Sequence, residues 1–261
     1  MAASRASFRD PDGAVFLTAD RVFRKIVPSA AKAFRDAVES KAIRQFVAEG
    51  AFIDSRFPGP GELEGVQAAV GWNSSEFDDG LVVEHPRVHF QSFPYEWCPE
   101  MLHSAGVLTL SLAAKLHEEG LGLKDATPYN ILFQGPKPIF VDAASPERRD
   151  PGNPTWLPYA QFVRAFLLPL LVSQHCGISL QQTFLAHRDG LEPGAVYRIL
   201  GAARRLLPPF FFAVALPTWL AGRASGQPSI YRHRTEPPEK AAFILRATMR
   251  HLGKQLAKAG V

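Results

Sequence analysis

The chain has 261 residues, of which 46% are hydrophobic and 21% charged, with a formal net charge of +4 at pH 7. This length suffices for one large domain or two small lobes with a core that needs no cross-links, and the ordinary apolar content excludes a disordered chain. Two cysteines, Cys98 and Cys176, exclude a disulfide framework and a four-cysteine zinc site. The first residues lack the apolar core of a secretory signal, so we expect a folded cytoplasmic protein.

The first third of the chain predicts short strands around one helix. Residues 30–49 place apolar side chains at helical spacing, with Ser29 as the N-cap and Gly50 at the end. Strands are predicted on both sides of this helix: a first hairpin at 14–17 and 21–26, a single strand at 51–57, and a second hairpin at 81–85 and 88–90.

The rest of the chain predicts mainly helices. A proline-bearing aromatic connector at residues 92–97 precedes a long amphipathic helix at 101–119. Two short apolar segments, 131–133 and 139–141, predict a small hairpin. From Trp156 onward the pattern is helical with proline breaks.

The last third contains the strongest apolar run and most of the positive charge. Residues 206–222 carry no charge, but prolines interrupt a run already shorter than the roughly 20 residues of a spanning helix. We expect a buried helix pair or hairpin and no membrane span, with an interfacial anchor as the alternative. Residues 191–261 contain 11 Lys/Arg and 3 Asp/Glu, which predicts a solvated helical face or a surface for an acidic partner. No stacking or helix-turn-helix pattern points to nucleic acid.

Several catalytic patterns can be excluded. His85 and His89 are four residues apart, but Pro86 forbids the uninterrupted helix of a zinc protease. The sequence contains no Gly-x-Ser-x-Gly elbow, no Walker A sequence and no dinucleotide fingerprint. We therefore expect neither a zinc enzyme nor a serine hydrolase.

The residues that suggest chemistry lie in LKDATPYNILF (123–133) and in IFVD, which ends at Asp142. Four residues separate Asp125 from Asn130, and eleven separate Asn130 from Asp142. Phosphoryl transfer uses one carboxylate to orient the acceptor hydroxyl, here Asp125, and an amide oxygen and a second carboxylate to hold magnesium, here Asn130 and Asp142. The hairpin between them brings the two metal ligands to one end. In the alternative interpretation, Asn130 and Thr127 form a turn and Asp142 caps a helix.

These segments resemble the catalytic and metal-binding segments of the protein-kinase-like superfamily, especially its aminoglycoside-phosphotransferase-like branch. More narrowly, the run from LKDATPYNILF through PIFVD to NPTWLPYAQFVRAFLLPLL is similar to the kinase-like domain that precedes the methyltransferase domain in some bacterial S-adenosylmethionine-dependent methyltransferases. The resemblance implies an α+β, two-lobed fold, with a small β-rich N-lobe and hinge at 1–97 and a mainly helical C-lobe with the catalytic loop at 98–261. It also implies ATP and Mg2+ as cofactors.

The resemblance also implies a phosphate-binding cation on a strand, paired with a carboxylate on the following helix. Arg24 and Lys25 can both supply the cation, and they point to opposite faces of one strand. The narrower resemblance favours Arg24, whereas Lys25 is the chemically conventional residue. On the helix, Asp36 and Glu39 are the possible partners, and Glu39 is the more central of the two.

Two functions follow from the resemblance. The first is an ATP- and Mg2+-dependent phosphotransferase that acts on a small molecule, because no recognisable activation segment follows Asp142. The alternative is a non-catalytic kinase-like module that supports a methyltransferase or another biosynthetic enzyme through its basic C-terminal part. Three departures from the superfamily pattern keep this alternative open: the missing glycine-rich loop, Leu123-Lys124 in place of His-Arg, and Ala143-Ala144 in place of Phe-Gly.

Overall fold

A computed structural model describes residues 4–5, 13–70, 80–223 and 235–260. The N-terminal part is a four-stranded antiparallel sheet with the strand order β1-β2-β3-β4. Its strands are β1 (Ser4–Arg5), β2 (Gly13–Leu17), β3 (Arg21–Ile26) and β4 (Leu81–Pro86). Between β3 and β4 the chain forms three helices, α1 (Pro28–Val38), α2 (Lys41–Ala48) and α3 (Pro60–Val70).

The two faces of the sheet have different neighbours. Phe23 of β3 and Val82 of β4 form a small apolar cluster with Val66 of α3. Ile26 and Val83, on the opposite face, belong to the main core that continues into the helical part. Because side chains alternate along a strand, this arrangement places Arg24 on the core-facing side of β3 and Lys25 on the α3 side.

The single helix predicted over residues 30–49 is two helices. The first begins at Pro28, so Ser29 lies inside it and is not the cap. The second is capped by Ser40, whose hydroxyl accepts a hydrogen bond from the Ile43 amide at 3.3 Å. The Glu119 carboxylate accepts two more, from the amides of Lys41 (3.0 Å) and Ala42 (2.6 Å). The first turn of a helix leaves its amides without hydrogen-bond partners inside the helix. In α2 a carboxylate 77 residues away in the chain accepts from these amides.

The predicted second hairpin is wrong, because β4 pairs with β3 and residues 88–90 form no strand. Pro86 ends β4, and Phe90 is 90% exposed. The other edge of β4 is taken by Arg56, which exchanges two backbone hydrogen bonds with Glu84 at 2.8 and 2.9 Å. The segment predicted as a strand at 51–57 therefore forms two isolated bridges, the second being a parallel one between Phe52 and Phe140.

The helical part begins after a short 3-10 turn at Pro94–Glu96. The predicted long helix is confirmed as α4 (Pro99–Glu118), and the predicted small hairpin as β6 (Ile131–Gln134) and β7 (Lys137–Phe140). A second short ladder pairs β5 (Leu121–Leu123) with β8 (Pro146–Arg148). The remaining helices are α5 (Tyr159–Phe162), α6 (Leu168–Cys176), α7 (Leu180–Ala186), α8 (Pro193–Ile199), α9 (Ala202–Leu206), α10 (Leu216–Arg223) and α11 (Pro238–Ala259).

The apolar run at 206–222 spans the end of α9, a π-helical turn at Phe211–Ala215 and most of α10. Its middle is buried, as at Val214, but Phe212 and Leu220 are more than half exposed. The expected buried helix pair is thus only partly buried. None of the helices, over the residues described, is long and apolar enough to cross a bilayer.

A small antiparallel sheet is followed by a mainly helical part with two short ladders, which is the α+β arrangement of a β-rich N-lobe and a helical C-lobe that the sequence predicts. One continuous core joins the two lobes, from Ile26 and Val83 of the sheet to Leu102 and Leu112 of α4. Phe52 stacks on Phe140 across the junction, with ring centroids 5.6 Å apart. The segment that connects α2 to α3 therefore ties the sheet to the hairpin β6–β7, next to the predicted site.

Candidate functional site

The loop that carries Asp125 is held along the segment that carries Asp142. The Lys124 amide donates to the Ser145 carbonyl at 2.9 Å, and the Val141 amide donates to the Asn130 carbonyl at 2.8 Å. The two hydrogen bonds join the ends of the loop 125–130 to the two ends of the turn 142–144, so the loop and the turn lie side by side. The Asp125 side chain is exposed, so its carboxylate is accessible to a substrate.

Asp142 opens a tight turn immediately after β7. Its carbonyl accepts from the Ser145 amide at 3.1 Å, and its Oδ1 accepts from the Ala144 amide at 3.3 Å. An aspartate that hydrogen-bonds the backbone two residues on is typical of such turns. The turn holds the carboxylate at the end of the hairpin β6–β7, on the same side as Asn130.

Arg24 reaches this carboxylate from the other lobe. Its Nη2 donates to Asp142 Oδ1 at 3.1 Å, across 118 positions of the chain. The side chains are 10% and 29% exposed, so water screens the pair less than a surface ion pair. The ion pair thus joins the core-facing side of β3 to the turn after β7, where a nucleotide phosphate and its metal would meet in a kinase-like site.

Lys25 lies on the opposite face of β3. It pairs in register with Val82, and its side chain packs along Gly80, where an added β-carbon would come within 3.2 Å of Lys25 Cε. The structure therefore brings Arg24, and not Lys25, to the Asp142 carboxylate. Strand alternation is the physical reason, because adjacent residues cannot share a face.

The structure does not bring Glu39 to either cation. Glu39 is the C-cap residue of α1, its side chain is exposed, and within the described residues it forms no ion pair. It lines a cavity of about 300 Å3 together with Arg44 and Asp54. The other acidic residue of α1, Asp36, accepts from Arg148 Nη2 of β8 at 3.3 Å. The carboxylate that pairs with Arg24 is thus Asp142 of the turn after β7, and Asp36 of α1 pairs with Arg148 instead.

Asn130 and Asp142 together suit a magnesium ion on a phosphate. The amide nitrogen of Asn130 is buried and, within the described part of the chain, has no hydrogen-bond partner. This N–H donor cannot bind a cation, but it can donate to an acceptor such as a phosphate oxygen, which leaves the amide oxygen for the metal. No three His, Cys, Asp or Glu side chains converge as a metal cage in the described ranges. Two protein oxygens are typical of Mg2+, which keeps several waters and takes the remaining ligands from substrate phosphates.

Sequence reasoning missed three residues around the loop. Gln161 Oε1 accepts from the Ala126 amide at 2.7 Å and so anchors the residue after Asp125. The Arg188 guanidinium lies 5.3 Å from the centre of the Tyr129 ring, and burial raises the pKa of the Tyr129 hydroxyl. No motif indicates these contacts, because α5 and the end of α7 reach the loop only through the tertiary structure.

The sequence did not indicate that His85 is part of the site. Its spacing from His89 suggested a zinc ligand, which Pro86 excludes. It is 4% exposed on β4, and its Nδ1 lies 2.9 Å from the Asp54 carbonyl. Burial lowers the pKa of His85 to about 4, and the positive charge of Arg24 acts in the same direction. His85 is therefore a neutral, buried side chain beside the cation of the site.

The chain is similar in sequence to a curated protein and in structure to several solved proteins, among them two kinases. No family model matches the chain. Nodulation protein NoeA from Rhizobium meliloti (strain 1021) is 29% identical over 224 residues, which cover 86% of this chain and 44% of NoeA. The chain thus spans less than half the length of this relative. Vaccinia related kinase 3 superposes with a TM-score of 0.41 and 10% identity, over 98% of this chain and 85% of that chain. The bifunctional kinase-methyltransferase WbdD superposes with a TM-score of 0.30 and 13% identity. The match covers 91% of this chain and 47% of the WbdD chain.

Proposed function

We propose that the protein is an ATP- and Mg2+-dependent phosphotransferase of kinase-like fold that acts on a small molecule. The observation that carries the proposal is the ion pair between Arg24 and Asp142. In this pair, a guanidinium suited to phosphate and a carboxylate suited to a metal lie 3.1 Å apart, beside a loop with an exposed aspartate, and this supports the proposal. Phosphoryl transfer consists mainly of positioning and charge stabilisation, and these groups supply both.

Each residue has a defined task in this proposal. Arg24 binds phosphate oxygens, for which its planar guanidinium is well suited. Asn130 and Asp142 hold Mg2+, and Asp125 orients the acceptor hydroxyl and accepts its proton. ATP would supply the phosphoryl group, and Mg2+ would supply positive charge that Asn130 and Asp142 would hold beside the phosphates. The acceptor is small because the chain between Asp142 and Tyr159 contains only a turn, the short β8 and a loop, which leaves no extended segment for a protein substrate.

The metal assignment predicts that Asp142→Asn removes most of the thermal stabilisation that Mg2+-ATP confers. A ligand that binds only the folded state raises the melting temperature by mass action, and a neutral amide is a poorer magnesium ligand than a carboxylate. The shift is measured by differential scanning fluorimetry against the unliganded form of the same variant, because loss of the ion pair with Arg24 lowers the starting stability.

Asp36→Asn is the matched control, since the same atoms change in an ion pair with Arg148 outside the site. It should retain the full Mg2+-ATP shift, as should Glu39→Gln. A shift in Asp142→Asn equal to that of the parent would contradict the metal assignment.

The base assignment predicts that Asp125→Asn keeps nucleotide binding and loses turnover. The amide preserves size and most hydrogen bonding but cannot accept a proton, and loss of a positioned base costs at least about 100-fold in rate. Turnover is followed as ADP release in the presence of pooled hydroxyl compounds, and binding as the Mg2+-ATP melting shift. Unchanged ADP release in the variant would remove Asp125 from the mechanism.

A non-catalytic kinase-like module that supports a methyltransferase or another biosynthetic enzyme is the second candidate. It is favoured by Glu39, which is exposed at the C-cap of α1 and, within the described residues, forms no ion pair, so that the expected pairing of the strand cation with a helix carboxylate is missing. Millimolar ATP with and without Mg2+ distinguishes the two. If the parent shows no melting shift under either condition, the phosphotransferase proposal fails and the module proposal stands.

A further inference from the structure

The C-terminal helix α11 has one buried and one exposed face. Leu245, Leu252 and Leu256 are at most 1% exposed, and the helix packs mainly against α4. The opposite face carries the exposed residues Phe243, Arg246, Ala247, Arg250, His251, Lys254, Ala257 and Lys258. This exposed set is called the α11 face below.

The four cations of the α11 face form a single row. Arg246, Arg250, Lys254 and Lys258 follow one another at intervals of four residues. In an α-helix each interval advances about 6 Å and turns about 40°, so the row is about 18 Å long and stays on one side. Like charges four residues apart repel each other on a helix. The row therefore contains three consecutive unfavourable pairs.

The surroundings of the row do not neutralise it. Within the described residues none of the four cations forms an ion pair, and the only acidic residue of α11 is Glu239 in the first turn. Two nearby carboxylates are paired with other cations: Glu236 with Lys240 at 2.8 Å and Glu118 of α4 with Lys115 at 3.1 Å. From α4, His117 faces α11. Burial lowers the pKa of His117, and the charges of Arg149 and Arg246 act in the same direction. On the α4 side, Arg149 thus adds positive charge near the row, while Glu118 acts in the opposite direction.

The α11 face also offers an apolar anchor. Phe243 is 62% exposed at one end of the row, and the small side chains of Ala247 and Ala257 leave room between the cations for a second backbone to approach. Exposed aromatic residues at such positions are typical energetic anchors of protein interfaces. One aromatic residue and a single row of cations are too little apolar surface for insertion into a lipid bilayer.

We propose that the α11 face docks an acidic protein segment, with carboxylates spaced as in a helix along the row of Arg246, Arg250, Lys254 and Lys258 and an apolar side chain against Phe243. An acidic helix has the same rise of about 6 Å every four residues, so the two rows of charge match in spacing. The docking surface lies on the helix that packs on α4 and is separate from the Arg24–Asp142 site.

The test measures binding of a fluorescein-labelled peptide by fluorescence anisotropy. The peptide is an alanine-rich helix with a glutamate at every fourth position and one leucine near its end, since alanine offsets the repulsion between the glutamates. The parent should bind at low salt and weaken as salt rises, because exposed charges are screened. Arg250→Glu/Lys254→Glu should weaken binding about tenfold or more, and Phe243→Ala should weaken it at high salt too, where the apolar contact remains. Lys41→Glu/Arg44→Glu, an equal change of charge on the exposed residues of α2, should retain most of the binding.

Three outcomes would overturn the proposal: no peptide binding by the parent, equal loss in the α2 control, or tighter binding of duplex DNA or phosphatidylglycerol vesicles than of the peptide. Lys254→Glu gives an independent readout. Its carboxylate falls between Arg250 and Lys258, so the free protein should melt at a higher temperature while peptide affinity falls. The Mg2+-ATP shift should be unchanged in every α11 variant, which separates this proposal from the proposed phosphotransferase.

Discussion

Arg24 and Lys25 are neighbours in the sequence with different surroundings in the fold. Arg24 is 9% exposed on the core side of β3 and contacts Asp142, while Lys25 lies on the side covered by α3. Removing one member of a buried ion pair leaves the other charge uncompensated, at a cost on the order of 3 kcal/mol. Residue type alone would favour lysine for the phosphate contact, but the face of the strand favours arginine.

His85 should make stability depend on pH below neutrality. Its pKa is about 4 in the folded protein and about 6.5 in the unfolded chain, so the unfolded chain binds a proton first as the pH falls. The stabilisation is complete above about pH 6.5 and is lost between there and about pH 4. The free energy of unfolding should therefore fall by about 2 kcal/mol from pH 7.5 to pH 5 on account of this residue.

Urea unfolding of His85→Asn at these two pH values tests the assignment. The amide can still donate to the Asp54 carbonyl, but it does not titrate, so the fall in stability should be smaller by that amount. His89→Asn is the control, because His89 is exposed and should leave the pH dependence as it is in the parent. Equal pH dependence in the parent and in His85→Asn would mean that His85 can accept a proton without unfolding.

Among the elements, the turn between α7 and α8 depends on Gly190. Its φ is +88°, and an added β-carbon would lie 2.2 Å from the Arg164 carbonyl oxygen. The next amide, Leu191, donates to that same oxygen at 2.9 Å. The close approach of this turn to the π-helical turn at Val163–Leu167 therefore requires glycine.

Gly190→Ala should lower the free energy of unfolding by about 3 kcal/mol, since it adds backbone strain and a steric clash. Gly194→Ala, four residues on in α8, has open space around the new β-carbon and should be neutral or stabilising by up to about 1 kcal/mol. Chemical denaturation of the two variants gives the comparison. A Gly190→Ala variant as stable as Gly194→Ala would show that the turn can move away from Arg164.

At the scale of the whole molecule, the two lobes are joined through Phe52. It is 2% exposed, stacks on Phe140 of β7 and forms a parallel bridge with it, four residues before Arg56 forms the bridge to β4. Phe52→Ala should destabilise the protein by about 3–5 kcal/mol, because it removes a large buried side chain and leaves a cavity at the junction.

Phe90→Ala is the matched control for this prediction. Its side chain is 90% exposed, and the loss of an exposed side chain usually changes stability by no more than about 0.5 kcal/mol. Thermal unfolding of both variants should separate them clearly. If Phe52→Ala unfolds like Phe90→Ala, the junction between the lobes does not contribute to the cooperative core.

The amino-acid sequence alone determined the order of the lobes, the opening hairpin β2–β3, the long helix α4 and the hairpin β6–β7 that separates Asn130 from Asp142. These are local features, in which apolar periodicity and turn residues act over a few positions. It did not determine the break between α1 and α2, because the Glu119 carboxylate that supports the start of α2 lies far along the chain. It also did not reveal that Arg56, rather than residues 88–90, completes the edge of β4.

For the site, the spacing of Asp125, Asn130 and Asp142 was visible in the sequence, since a loop and a hairpin hold them within 18 residues. The contact of Arg24 with Asp142 was revealed only by the tertiary structure, which sets the side of β3 that faces the core. The same holds for Glu39, which is exposed at the C-cap of α1 and, within the described residues, forms no ion pair. Helical spacing specifies a face, but the angle at which a helix packs decides what that face meets.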